Sequence, residues 1–414
     1  MSTLIDKLSE ILGTNLRYII KGGFWLTLGE IISAATTFLS ALVFANLLSK
    51  ETYGIYNYVL SISGILAIPT LSGIGIAMTQ AVAKGYEGSL IPAVKTKIRW
   101  GLLASLSALI VAAYYYIYGN STLAIAFLIV AAFLPFLDAF GLYESFLYGR
   151  KLFDVASLYF ILIQIITIAV LIGTIFITKN IFFILLAYFA SWTFSKLIIF
   201  QLVLKKFPPN KKPDPEAITY GKHLSVVSII GTIANYLDKL LVFHYLGAAE
   251  LAVYSLAIGP PEQIKNLLSS FNILAFPKFT ERTVAEIKKA MARKFFQLFL
   301  LACFVIGAYI LIAPYFYKIF FPKYLDSVFY SRIFALSMFN LILFPAGIFL
   351  QAKRKIKEQY WTNLLTSLFQ IVIMTVFIIW QGLLGLIVAR ILTRFFGSVI
   401  NLVFYRRASV DTTP

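Results

Sequence analysis

The chain has one cysteine, two histidines and few charges of either sign. Among 414 residues only 13% are Asp, Glu, Lys or Arg, and the 18 acids are outnumbered by 36 bases. The lone Cys303 excludes a disulfide framework, cysteine-based zinc sites and clusters. Set in an apolar run, it reads as a small core residue. His223 and His244 fall near opposite ends of one apolar segment, too far apart for a shared metal, so no metal site and no cofactor is expected. A glycine-rich loop ending in Gly-Lys-Ser/Thr is missing, which excludes a built-in ATPase of that kind.

What is abundant is apolar surface. Hydrophobic residues make up 60% of the chain and the mean hydropathy is +0.85, against roughly 45–50% apolar in soluble domains. No single soluble core could hide so much, and lipid must be the second solvent. The apolar runs are about 20–27 residues long, the length a helix needs to cross hydrocarbon, and they lack the alternation of a barrel strand. The expected fold is an all-α integral membrane protein. Spans are placed at roughly 23–48, 54–82, 100–118, 122–148, 154–178, 181–204, 223–247, 250–276, 295–317, 327–352, 359–380 and 384–405. Residues 1–21 carry Asp6 and Glu10 and no continuous apolar stretch, so a cleavable signal peptide is not expected. Leu4, Leu8, Ile11, Leu12 and Ile19 recur at helical spacing and predict an amphipathic helix on the cytoplasmic surface.

The bases sort to one side. The N-terminus and the loops after spans 2, 4, 6, 8 and 10, with the tail, hold 26 Lys and Arg; the other side holds only Lys50, Lys179, Lys318 and Lys323. Positive residues stay cytoplasmic, so both termini are expected inside, in a multi-pass protein of the plasma membrane. A basic chain of this layout calls for a membrane and not for nucleic acid.

The chain also repeats itself. Leu42-Val43-Phe44 returns as Leu241-Val242-Phe243, each about ten residues before a Glu (Glu51, Glu250), and Tyr56 then matches Tyr254 after a one-residue gap. The offset maps span 1 to span 7 and predicts two six-helix lobes related by a pseudo-two-fold along the membrane normal. The expected organisation is an N-terminal lobe over 1–204, a cytoplasmic linker over 205–222, a C-terminal lobe over 223–405 and a cytoplasmic tail over 406–414. Pro69 with Gly64, Gly73 and Gly75 in span 2, and Gly259-Pro260-Pro261 in span 8, predict interruptions at corresponding places: a site, a hinge or packing kinks.

Eleven ionisable residues fall inside spans: Glu30, Asp138, Glu144, Asp238 and Glu262 against Lys196, Lys239, Lys265, Arg332, Arg390 and Arg394. Each costs about 2.5–3.5 kcal/mol near the bilayer centre on insertion scales, so each should face a polar cavity or a partner. Arg390 and Arg394 share one face of span 12, extended by Ser398 and Asn401. An anionic ligand, a structural ion pair and snorkelling all remain open for them. Ser228, Gly231, Asn235 and Asp238 form one polar stripe on span 7, with Lys239 turned about 100° away. Structural pairing is the expected role for Asp238 and Lys239. Glu30, on a face with Thr27, Ala34, Thr37 and Ala41, is either a proton or cation site or a partner of Lys196 or Lys265. Glu144 reads as an interface residue beside Arg150 and Lys151. The cations Arg390, Arg394, Lys239, Lys265, Arg332 and Lys196 are the candidate substrate-binding set. Glu30, Asp138, Asp238 and Glu262 are candidates for ion coupling or structural pairing.

Three segments add a resemblance. Gly22-Gly23-Phe24-Trp25, the run Phe44-Ala45-Asn46-Leu47-Leu48-Ser49-Lys50-Glu51-Thr52-Tyr53-Gly54-Ile55-Tyr56, and Tyr236-Leu237-Asp238-Lys239-Leu240-Leu241 resemble the Wzx-type oligosaccharide flippases. That polysaccharide-biosynthesis branch shares a superfamily with the MATE drug antiporters. Lys239 stands where the branch commonly has arginine, which keeps the charge and loses the bidentate fork. The resemblance implies a MATE-like fold and alternating access. The implied substrate is a polyprenyl-diphosphate-linked oligosaccharide, moved from the inner to the outer leaflet. Membrane lipid, H⁺ or Na⁺, and glycan-assembly proteins are the other partners it brings into view. Six cations against five acids in the spans suit an anionic headgroup. The alternative is a MATE-type cation or drug antiporter, which would want an acid-dominated cavity. An enzyme is not expected: the longest loops, Lys318–Asp326 outside and about 18 residues inside, leave a glycan polymerase or ligase no room for catalytic groups.

Overall fold

The computed structural model describes residues 16–281, 284–353 and 355–407. Residues 1–15 of the expected amphipathic segment and the tail beyond 407 lie outside the described residues. Within them every regular element is a helix, as hydrocarbon demands: a spanning segment must satisfy its own backbone groups. The helices are α1 (Leu16–Leu47), α2 (Lys50–Leu66), α3 (Ile74–Ala83), α4 (Leu90–Ile117), α5 (Ser121–Leu137), α6 (Leu142–Gly149) and α7 (Phe153–Ile177). They continue as α8 (Ile181–Lys206), α9 (Ala217–Leu246), α10 (Ala248–Glu281), α11 (Val284–Phe320), α12 (Asp326–Ala335), α13 (Phe344–Ala352) and α14 (Ile356–Arg407).

Nine helical segments of the described residues are long and apolar enough to cross a membrane, and the bent pair α2–α3 makes a further span. The 52-residue α14 is two spans, folded back at Gln381 and Gly382, whose φ of +57° suits glycine. A Cβ on Gly385 would lie 2.1 Å from the Phe377 carbonyl, which shows how closely the two arms run. With α10, whose Glu250, Glu262 and Lys265 dilute its apolar character, the total is about twelve. Large apolar side chains such as Ile177, Phe304, Ile312 and Trp380 stand exposed on these helices, as side chains facing lipid should. Cys303 is one of these exposed residues. It is not the core residue expected, because apolar surroundings in sequence mean lipid as often as core in such a protein.

The chain divides into two compact units: residues 1–43 with 63–229, and residues 44–62 with 230–414. The seams fall inside α1, α2 and α9, not in the polar stretch 205–222.

In the first unit the expected break in span 2 is present. The helix gives way to a 3₁₀ turn at Ile68–Thr70, followed by Leu71 at φ +61°. Gly73 then packs against the start of α9, its N–H donating to Ser225 Oγ at 2.9 Å. Gly101 lets α4 approach α5 so closely that a Cβ there would sit 2.6 Å from Pro135 Cα. Pro135 has no N–H to give the Ala131 carbonyl; Ser105 Oγ of α4 donates to it instead, at 2.6 Å. On the loop side Arg150 grips Glu87 with two bonds of 2.7 Å and also reaches the Pro208 carbonyl at 2.9 Å. The Asn210 N–H bonds Glu87 as well, and the Asp214 N–H bonds Ser89 Oγ. The stretch after α8 is therefore fastened to this unit, and Arg150 pairs with Glu87 while Glu144 accepts from Tyr148 at 2.7 Å.

In the second unit the predicted interruption at Gly259-Pro260-Pro261 is absent, and α10 runs through it. Pro260 leaves the Leu256 carbonyl without its helical donor, and Tyr317 Oη supplies one at 2.8 Å. In α11, Pro314 does the same to Ile310, whose carbonyl accepts from Arg332 Nε at 3.0 Å. Proline survives inside these spans because neighbouring side chains replace the missing donor. Gly54 of α2 sits on the first turn of α10, where a Cβ would overlap the Ala248 carbonyl at 1.8 Å.

Candidate functional site: a charged cluster in each unit

In the second unit four segments converge on one charged cluster: α9 with Asp238, α10 with Tyr254, Glu262 and Lys265, the 3₁₀ stretch Leu336–Leu343 with its predecessor Phe334, and α14 with Arg390 and Arg394. Asp238 is buried, at 1% exposure. It pairs with Arg390 and accepts from Tyr254 Oη at 2.6 Å. The tyrosine in turn accepts from Arg390 Nη1 at 2.8 Å. Glu262 is shared by three cations: Arg394, Arg390 at 3.1 Å, and Lys265 at 2.9 Å on its other oxygen. Both guanidiniums lie over the buried Phe334 ring, at 4.8 and 5.6 Å from Arg394 and Arg390, where the ring face favours a cation.

The polar stripe of span 12 is matched by local geometry. Arg394 donates to Ser337 Oγ at 2.7 Å, and Ser398 bonds Asn340. Three residues of 3₁₀ helix rise about 6 Å, as do four of α-helix, and side chains three apart eclipse in a 3₁₀ helix. Ser337 and Asn340 therefore present partners at the spacing of Arg394 and Ser398. Three cations on two carboxylates leave the cluster one positive charge in excess.

The other candidates distribute differently. Lys239 follows Asp238 on α9 but no hydrogen bond or ion pair of its ammonium occurs among the described residues; only its backbone N–H bonds the Asp238 carboxylate. Arg332 serves the Ile310 carbonyl and does not join the cluster. Lys196 pairs with Asp138 and Lys265 with Glu262, so the partners expected for Glu30 are engaged elsewhere. Glu30 itself is exposed on α1.

The first unit holds a smaller cluster. Lys196 Nζ reaches Asp138 Oδ1 at 3.1 Å and the Leu137 carbonyl at 3.2 Å, where α5 ends, and stands 4.6 Å from the Trp192 ring. Lys97, counted from sequence as a loop cation, is only 5% exposed and interacts electrostatically with Asp138 and Lys196. The Gly101–Pro135 contact explains its place: one turn before Gly101 and three residues after Pro135 bring Lys97 and Asp138 alongside. The signal lay in the spacing of Lys95, Lys97 and Arg99. On a helix the outer two share a face and the middle one points away; Lys95 and Arg99 are exposed. Tyr254, noted only for the repeat, was likewise missed as Asp238's partner. Among the described residues no group of three or more His, Cys, Asp or Glu could hold a metal ion.

Comparisons with known proteins agree with this architecture. The chain is 23% identical over 352 residues, 74% of its length and 68% of the other's, to an uncharacterized membrane protein of Methanocaldococcus jannaschii. Among solved structures it is similar to an outward-facing multidrug resistance MATE family transporter of the MOP superfamily, with a TM-score of 0.64, 13% identity and 94% of both chains covered. An inward-facing MATE transporter matches at 0.63, 12% identity, and 90% and 93% coverage. A MOP superfamily transporter from Pyrococcus furiosus matches at 0.57, 14% identity and 94% of both chains. The fold is thus that of the MATE transporters. Residues 19–283, well over half of the 414, match the family described as polysaccharide biosynthesis protein, and the chain belongs to that family of MATE-like membrane transporters.

Proposed function

We propose that the protein is a flippase, carrying a polyprenyl-diphosphate-linked oligosaccharide from the cytoplasmic to the outer leaflet of the plasma membrane by alternating access, with both termini inside. The observation that carries this reading is the positive excess within the spans. With Lys97 added, seven cations face five acids, and the second unit's cluster sets Arg390, Arg394 and Lys265 against only Asp238 and Glu262. A diphosphate brings the missing negative charge, and arginine binds phosphate in bidentate fashion. Lys239, with no acid partner among the described residues, adds to the same side of the balance. The P. furiosus transporter is described by a reverse polarity of its binding pocket that suggests a different function, and the positive excess in this chain points the same way.

Glu30 is the proposed site of a coupling proton or Na⁺. It is the one exposed acid of α1, and no ion pair engages it among the described residues.

The test is reconstitution in vesicles with a fluorophore-tagged polyprenyl-diphosphate oligosaccharide and an impermeant quencher. Transfer well above that of protein-free vesicles is expected. Background transfer together with accumulation of a fluorescent organic cation would replace the flippase with a drug antiporter.

A further inference from the structure

The reading above draws on the cluster of the first unit only through its charge. Lys97 is buried, its ammonium has no hydrogen-bond partner among the described residues, and the single nearby carboxylate, Asp138, is already bonded to Lys196. Two ammonium groups share one negative charge, so one positive charge is uncompensated, which is costly for a buried group such as Lys97. A second orphan lies close by in the chain. Thr193 is three residues before Lys196, on the same face of α8, and its Oγ1 is buried with no hydrogen-bond partner among the described residues. The cluster is nonetheless accessible: the Asp138 side chain is 45% exposed, while that of Lys196 is 12% exposed.

We propose that Lys97, Lys196 and Thr193 form a phosphate-binding site within the first unit, with Asp138 as a built-in competitor for the two ammonium groups. The missing components are one negative charge and acceptors for an ammonium and a hydroxyl. A phosphate group supplies all of these, and lysine binds it as a point charge. Asp138 neutralises half of the site when it is empty and gives up Lys196 as the anion enters. This sets the affinity low enough for release. Where the phosphate belongs to a lipid the proposal rests on the flippase reading; the binding chemistry does not.

Trp192 is a native reporter, because Lys196 lies over its ring. The full chain, with Trp25, Trp100, Trp361 and Trp380 replaced by Phe, is placed in zwitterionic nanodiscs and titrated with inorganic pyrophosphate. A saturable change in Trp192 fluorescence is expected. Lys97→Gln should weaken binding by about tenfold or more, while Lys97→Arg stays within about threefold because the charge remains. Asp138→Asn should tighten it by about tenfold, since the competitor is gone. Nanodiscs doped with phosphatidic acid separate the sources. A response to them assigns a lipid headgroup, and a response to pyrophosphate alone assigns a soluble phosphate.

No response up to about 10 mM, where only very weak sites stay empty, overturns the proposal. So does loss of the response in Asp138→Asn, which would make the carboxylate the binding group and a cation the ligand. Should Lys97→Gln fail to fold, Lys97→Arg and Asp138→Asn still decide, because their predicted signs differ from those of a structural pair. A protein that flips without titrating removes this site alone, and one that titrates without flipping removes the flippase alone.

Discussion

Tyr254 donates its hydroxyl to Asp238 at 2.6 Å, and both residues are buried, at 0% and 1% exposure. The same hydroxyl accepts from Arg390. Tyr254→Phe leaves a buried carboxylate oxygen short of one donor and a guanidinium short of one acceptor. The expected cost is about 1–3 kcal/mol, read as a lower melting temperature of the purified protein in detergent. An unchanged melting temperature would mean that water replaces the hydroxyl.

Arg390 and Arg394 should separate on protein level. Arg390 is the basic partner of the buried Asp238, so Arg390→Ala strands that carboxylate at a cost of about 3–5 kcal/mol. Expression should collapse and recover with Asp238→Asn. Glu262 keeps Lys265 and Arg390 when Arg394 is removed. Arg394→Ala should therefore express well and lose glycan display, with Arg394→Lys retaining part. Normal display in the Arg390→Ala/Arg394→Ala double mutant would remove both from transport.

Arg332 is a donor to the Ile310 carbonyl that Pro314 leaves free. Arg332→Leu should cost about 1–3 kcal/mol of stability through that stranded carbonyl. Combining it with Pro314→Ala, which restores the helical donor, should recover much of the loss. Transport per folded molecule should be unchanged; a selective loss of transport in Arg332→Lys would return the residue to the substrate site.

Two glycines make a matched pair. Gly101→Ala drives a methyl into the Pro135 backbone, whereas a Cβ on Gly173 meets nothing within 4 Å. The first should destabilise by about 1–3 kcal/mol through overpacking. The second should be neutral or gain up to about 1 kcal/mol in helix propensity. Equal melting temperatures would contradict the tight α4–α5 crossing.

Topology is checked by single cysteines in the loops after spans 2, 6, 8 and 10. All should resist an impermeant thiol reagent in intact cells. The background must be Cys303→Ser, because Cys303 is itself exposed. Labelling of any loop cysteine from outside would overturn the orientation.

Pattern and composition carried the fold because the bilayer imposes a length and a polarity on each span. Twenty apolar residues, a proline break at Pro69 and a polar stripe at Arg390, Arg394 and Ser398 were legible one segment at a time. The break expected at Pro260 was not there, since whether a proline opens a helix depends on a donor such as Tyr317, 61 residues along the chain from the Leu256 carbonyl it serves. The exposure of Cys303 was hidden for a related reason. One helix does not say which of its faces meets lipid.

Composition and pattern alone make the chain helical, membrane-spanning and charged in its spans, because each of these is a property of one segment in one solvent. Partner choice was decided only by the tertiary structure. Asp238 finds Arg390 and Tyr254, Glu262 gathers Arg394 and Lys265, Arg332 leaves the charged set, and Lys97 enters it. A buried charge is stabilised by whichever opposite group packing brings within about 3 Å. That distance is set by contacts such as Gly101 on Pro135 and by the match of a 3₁₀ turn to an α-helix, and no single segment contains them.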